Sequence, residues 1–297
     1  MKTIVNIIAI SLITISIFSQ KLEKEIASIK KIEIINLYGG IKINGNRSDK
    51  LVIERKEDND ISNFTTGKSS IGYKEDNTQL GLNFKSIGKT LKISPSNTKA
   101  QFANYSIDLP KEVIISIENE MDISIKKNKN DIEIEHNASK YNSIQIKDMK
   151  NELNIDVFSS DIVIKNISGP IFLSAFAGSV EIQYAKYNQE NPSMINLLAG
   201  NIEISLPIDS KFNIEASTLA GTIKSDFTIK AATIDLETKS IFKNKISGRE
   251  LKKYENIHKI VGEVNKGGSQ LSISTLAGNI KLIAISYPVV YPVYITQ

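Results

Sequence analysis

The sequence predicts an all-β fold: a β-helix, or β-solenoid, with rungs of about 18–22 residues, and as its alternative a β-sandwich. Three observations lead there. Hydrophobic and polar residues alternate over nearly every informative stretch, as in KIEIINL, VIISIE, SIQIKD, LNIDV and DIVIKN, and period two is the signature of a strand with one buried face. One phrase recurs, as INLLAGNIEIS from Ile195, ASTLAGTIKSD from Ala216 and ISTLAGNIKLI from Ile273. The first inward residues after each turn, Ile144, Ile162, Val180, Ile202 and Ile223, follow in steps of 18, 18, 22 and 21 residues, with a sixth match at Ile280. Such steps suit stacked rungs, each burying its neighbour's apolar side. A sandwich would be built from hairpins, yet Asn44–Gly45 is the sole Asn-Gly or Asp-Gly signal in the chain.

In chain order, residues 1–19 read as a signal peptide: Lys2, an apolar run from Ile4 to Phe18, then Ser19. The run is shorter than the about 20 residues of a membrane-spanning helix and is followed by polar QKLEKE, so cleavage is expected rather than an integral span. Residues 20–297 are expected to form one elongated β-helix domain. It opens with a charged lead of one or two helical turns through Leu22, Ile26 and Ile29, after which strands follow one another. Gly40, Gly178, Gly200, Gly221 and Gly278 are the expected structural turns, because glycine accepts positive φ without steric cost. Asn201 and Asn279, next in line, suit a turn and can bond the local backbone. One segment breaks the rhythm: KSIFKNKISGRELKKYENIHK, residues 239–259, a basic excursion whose ELKKYENIHKIV portion carries a helical spacing at Leu251, Tyr254 and Ile257 or His258.

Composition narrows function mostly by exclusion. The 37 basic and 33 acidic residues are scattered, so no nucleic-acid partner is indicated. With no cysteine there are no disulfides, thiolate metal sites or thiol nucleophiles. His136 and His258 have no ligand-spaced neighbour. Asp131, Glu133 and Glu135 share a strand face but read as a solvated surface, and KEDND at 56–60 lacks the glycine and distal glutamate of an EF-hand loop. The single glycine of LAGN precedes a strand, not a helix, so no phosphate nest forms. No catalytic residue, cofactor or metal site is expected. The enzyme alternative is a polysaccharide lyase or hydrolase in which Glu181 and Glu203 stack on adjacent rungs and shift one pKa toward an acid catalyst's range.

The order of several motifs resembles a known family. The opening INLYGGIKINGNRSDKLVIE, the strand–proline–strand step YSIDLPKEVIISIE, and the closing LLAGNIEISLPIDSKFNIEASTLAGTIKSDF with GEVNKGGSQLSISTLAGNIKL are similar to the adhesin-labelled family of exported bacterial β-strand-repeat proteins, related to the auto-transporter adhesin head or GIN domain. The resemblance implies a single-chain right-handed β-helix exported by a Gram-negative bacterium to the periplasm, outer surface or exterior. It implies no enzyme and brings no binding residues with it. The expected function is therefore a non-enzymatic adhesin or cell-envelope contact scaffold, against a polysaccharide-cleaving enzyme or a purely structural envelope protein. The basic excursion supplies the candidate contact for an anionic glycan or envelope surface, through Lys243, Lys245, Arg249, Lys252 and Lys253.

Overall fold

The structure is a computed structural model that describes residues 20–58, 74–119, 123–127, 132–136, 143–187, 190–236, 250–251 and 254–286. The signal segment 1–19 lies outside them. The N-terminal part contains β1 (Gln20–Glu25), β2 (Lys31–Ile35), β3 (Ile41–Asn46), β4 (Lys50–Asp58), β5 (Leu82–Ile87), β6 (Thr90–Pro95), a short helix α1 (Thr98–Gln101), β7 (Ala103–Pro110) and β8 (Ile114–Asn119). A separate antiparallel hairpin, β9 (Ile123–Lys127) and β10 (Ile132–His136), follows. The middle runs through β11 (Ser143–Lys147), β12 (Leu153–Ser159), β13 (Asp161–Ile167), β14 (Ile171–Ala177), β15 (Val180–Tyr184), β16 (Ser193–Ala199) and β17 (Ile202–Pro207). The chain then forms β18 (Phe212–Ala220), β19 (Ile223–Ser225), β20 (Ile229–Leu236), β21 (Glu250–Leu251), β22 (Tyr254–Val264), β23 (Ser269–Ala277) and β24 (Ile280–Ile285).

Hydrogen bonding arranges these strands into two large mixed sheets. The first runs β5, β6, β2, β8, β12, β14, β16, β23, β18, β22, β20. The second runs β1, β4, β7, β3, β11, β13, β15, β17, β24, β19, β22. Pairing is parallel from β6 to β18 in the first sheet and from β7 to β19 in the second, and antiparallel beyond. Two sheets over one core is the layout of the sandwich alternative. It is reached largely by parallel crossings, since a strand of one sheet is the connection between two strands of the other, as β13 is between β12 and β14.

The alternating isoleucines explain the register. Ile41, Ile144, Ile162, Val180, Ile202, Ile280 and Ile223 form one inward column of the second sheet, and all are buried. Each such side chain withdrawn from water contributes about 1.5–3 kcal/mol before chain entropy is counted. A one-residue slip would turn every isoleucine outward, so the column itself fixes the pairing. In the first sheet Ser193 interrupts the matching column between Ile171 and Leu271. Its buried Oγ accepts from Ile171 N at 3.2 Å and meets Tyr184 Oη at 3.1 Å, so the polar atom is satisfied. Tyr184, Tyr187, Phe212 and Phe227 continue from there as an edge-on aromatic chain with centroids 4.8, 5.6 and 5.4 Å apart.

Four expectations need correction. Ile223 does not stack on Ile202: the strand of Ile280 lies between them, because the position beside β17 is filled by β24 from the C-terminal segment. The lead through Leu22 is extended, since β1 finds an antiparallel partner in β4. ELKKYENIHKIV is likewise strand from Tyr254 onward, drawn into pairing with β18 and β20, so the end of the predicted excursion belongs to the sheet. Asn44–Gly45 lies inside β3, whereas a two-residue hairpin turn does occur at Gly88–Lys89 between β5 and β6. Gly88 has φ +57°, as such a turn requires.

Candidate functional site

The repeated LAG phrase forms a corner of the stack. Gly178, Gly200 and Gly278 adopt φ of +126°, +141° and +152°. A Cβ on Gly200 would overlap the carbonyl of Gly178, one on Gly278 the carbonyl of Gly200, and one on Gly221 the carbonyl of Gly278. The column is thus ordered Gly178, Gly200, Gly278, Gly221, and its carbonyls fill the space where side chains would be. Gly221 and Gly40 lie outside the positive-φ region, which corrects the expectation for those two. Gly221 is required by close approach alone. Gly40 N donates to Asn104 Oδ1 at 2.7 Å, and the close approach at that bend falls on Gly39, against Ala103 O.

A polar ladder runs beside the glycines. Asp161 Oδ1 accepts from Ser179 N and Oγ at 2.9 and 2.7 Å; Asn201 Oδ1 accepts from Asn279 N at 2.9 Å; Asn279 Oδ1 accepts from Thr222 N and Oγ1, both at 3.0 Å. Asn201 and Asn279 therefore bond the neighbouring corner and not their own turn. The corner is structural.

Glu181 and Glu203 do occupy adjacent register positions on the outer face of the second sheet. Lys165 Nζ lies 2.9 Å from Glu181 and Lys281 Nζ 3.1 Å from Glu203, so each carboxylate already has its own cation. Lys224 follows beside Lys281. His258 is part-exposed in β22, while the His136, Glu133 and Glu135 side chains, and Asp131 altogether, fall outside the described residues. So do the Glu57 and Asp58 side chains of KEDND, with Asn59 and Asp60 altogether. Lys243, Lys245, Arg249, Lys252 and Lys253 also lie outside them. Among the described residues no group of three or more acidic, histidine or cysteine side chains could hold a metal ion.

The outer face of the first sheet carries the feature the sequence reading missed. Phe158, Phe176, Leu198, Leu276 and Leu219 occupy equivalent positions on β12, β14, β16, β23 and β18, each two residues before its corner residue. Leu219 is 72% exposed, Phe176 47%, Leu276 46% and Leu198 39%. Phe158 and Phe176 stack with centroids 4.7 Å apart and planes 18° from parallel. Beside this ridge runs a column of Glu118, Asp156, Ser174 and Asn196, and beyond it stand Phe172 and Met194. Ridge and column bound a groove of about 550 Å³, and on the column's other side Phe172 and Met194 line an adjoining hollow of about 380 Å³. Asn196 Oδ1 accepts from Ser274 Oγ at 2.7 Å, which fixes its amide at one end of the floor. A signal existed in the sequence: the residue two before each corner is large and apolar although the alternation points it outward.

No family model matches the chain, and no curated protein matches it. Two solved structures align with it at low identity. One is a "putative cell adhesion protein" from Clostridium sporogenes ATCC 15579, 12% identical, with a TM-score of 0.41 over 90% of this chain and 100% of that one. The other is a "putative adhesin" from Bacteroides fragilis NCTC 9343, 11% identical, with a TM-score of 0.40 over 89% of this chain and 96% of that one. At these values neither neighbour bears on what this chain does.

Proposed function

We propose that the chain is an exported, non-enzymatic right-handed β-helix whose outer surface is a contact scaffold for a cell-envelope or extracellular partner. The winding follows from the parallel crossings: a strand, a crossover and a parallel strand of the same sheet are right-handed in about 98% of cases, owing to strand twist. The observation that carries the contact role is the ridge of half-buried Phe158 and exposed Phe176, Leu198, Leu276 and Leu219. Scattered apolar residues on a surface need no explanation, whereas a contiguous column of them, rimmed by polar groups, marks an interaction site. Glu181 and Glu203, each ion-paired, give no support to a proton-sharing catalytic pair. The basic segment around Lys243, Lys245, Arg249, Lys252 and Lys253 is proposed as a second contact, for anionic glycan or envelope surface, through attraction that salt weakens.

The test is a binding screen of the mature chain against envelope extract and glycans, with reducing-sugar release measured in parallel. Binding to envelope extract that falls in Phe176→Ser with Leu276→Ser, at an unchanged thermal midpoint, supports the scaffold. Sugar release abolished by Glu181→Gln or Glu203→Gln would replace it with the enzyme reading. Reversal of Lys243, Lys245, Lys252 and Lys253 should lower binding to acidic polysaccharide at low salt.

A further inference from the structure

We infer that the groove beside the ridge docks a basic peptide segment carrying apolar side chains, an inference that rests on the contact-scaffold reading and names the partner's chemistry. Many strand-face carboxylates on this surface sit beside a lysine. Glu33 is held by Lys31 and Lys92, Glu54 by Lys56, Glu112 by Lys150, Glu181 by Lys165, Glu203 by Lys281 and Glu215 by Lys259. Among the described residues Glu118 and Asp156 have no such lysine. They face each other directly across parallel strands, both exposed, and their register neighbours Ile35 and Ser174 bring no cation. Like charges placed opposite in a ladder destabilise it. A lysine at either position would turn that opposition into attraction.

The surroundings state what would relieve the pair. The floor of Glu118, Asp156, Ser174 and Asn196 spans four strands, about 14 Å at the usual spacing of roughly 4.8 Å, which is the length of about four residues of extended peptide. Phe158, Phe176 and Leu198 wall one side, and Phe172 and Met194 the other. Lysine and arginine can lay their aliphatic stems against such walls while the charged head reaches a carboxylate, and an intervening leucine or phenylalanine finds apolar surface on either side. An acidic glycan is repelled by the floor, and a neutral one leaves the carboxylate repulsion in place. Charge complementarity therefore selects a basic polypeptide.

The experiment uses the mature chain and a fluorescent peptide of sequence Gly-Lys-Phe-Lys-Leu-Arg-Ser-Gly, with the same peptide carrying glutamate for each basic residue and a neutral glucose hexasaccharide as comparison probes. Anisotropy titrations are run at low and high salt. The basic peptide should bind and lose affinity with salt, and the acidic one should not bind. Glu118→Gln with Asp156→Asn should weaken binding about tenfold or more, without lowering the thermal midpoint, because the substitution also removes the repulsion. Phe176→Ser should weaken binding at both salt concentrations. Equal peptide affinity in the parent and the charge-neutral variant overturns the inference, as does groove-dependent binding of the hexasaccharide with none of the peptide. Envelope-extract binding that survives in the charge-neutral variant while the ridge variant loses it would discard this groove and leave the scaffold reading standing.

Discussion

Three glycine-to-alanine substitutions separate the two demands that the corners make on glycine. Gly88 has φ +57° and open space within 4 Å of where a Cβ would stand, so alanine there meets backbone strain alone, about 1–2 kcal/mol. Gly221 has no positive φ, but its Cβ would stand 2.6 Å from the carbonyl carbon of Gly278 and closer still to the oxygen. Alanine there must push two rungs apart and strain the bonds from Gly278 N to Ala220 O and from Ile280 N to Thr222 O, both 2.9 Å. Overpacking of this kind costs about 1–3 kcal/mol, and the weakened ladder raises the total toward the upper end. Gly200 combines φ +141° with a Cβ 2.9 Å from the carbonyl carbon of Gly178, so its two costs add to about 3–5 kcal/mol. Valine at Gly200 or Gly278 adds a branched carbon and should be worse. Urea denaturation followed by circular dichroism measures the series, and the expected order of loss is Gly88, then Gly221, then Gly200. A Gly221→Ala protein as stable as Gly88→Ala would refute the carbonyl column, and an unaffected Gly200→Ala would refute the corner as a whole.

Three further outcomes follow from local geometry. Burial alone would raise the Asp76 carboxyl pKa, but hydrogen bonds from Thr78 N and Oγ1, Gly81 N and Gln79 N outweigh it and hold the group below its usual range. Its contribution to stability is therefore complete above the unfolded carboxyl pKa near 3.8 and is lost as pH falls through the lower folded value, so Asp76→Asn should flatten the acid limb of a stability profile below about pH 4. Tyr184→Phe removes the hydroxyl that meets Ser193 Oγ in a fully buried site and should cost about 1 kcal/mol by thermal melt, with Tyr184→Phe and Ser193→Ala together costing less than the sum. A chain ended after Val264 lacks β23 and β24 and exposes the facing edges of β16, β17, β18 and β19; a synthetic peptide of residues 265–286 added in trans should restore its protease resistance. No rescue by that peptide, with rescue absent also at high peptide concentration, would count against a preformed slot.

The periodic part of the fold was legible because burial imposes it residue by residue. Ile144, Ile162, Val180 and Ile202 do stack in the order and at the steps the sequence shows. What pattern could not convey is order in space when chain order and stacking order part company. Ile280 resembles Ile202 and Ile223 equally, and its place between them is set by strand edges left open elsewhere in the chain. Local helical spacing misled at Leu22 and Tyr254 for a related reason: an available edge offers backbone hydrogen bonds that outweigh a weak propensity. At the candidate groove, Phe158 and Phe176 were visible as residues eighteen apart, yet their meaning needed register with Leu198, Leu276 and Leu219 and the finding that Glu118 and Asp156 face each other.

The placement of the terminal segments has a kinetic meaning. β2 and β3 lie between β6–β7 and β8–β11, and β23 and β24 lie between β16–β17 and β18–β19, so neither the first nor the last parallel rung in sequence is at an end of the stack. A repeat array with its termini at its tips can grow by adding neighbours and can fray one repeat at a time. The parallel stack can do neither from β2 and β3 or from β23 and β24. Its early strands wait for partners as far along as β11, and its last rung must slide into a site walled on both sides, which places late, long-range closure on the folding path and predicts slow but cooperative assembly. Unravelling is gated in the same way: once the edge strand β1 has peeled from β4, the load falls on β2 and β3, each held by two parallel neighbours, as β23 and β24 are at the other end. The parallel stack is in effect bolted from within, with its first and last parallel strands locked behind neighbours that come later or earlier in the chain.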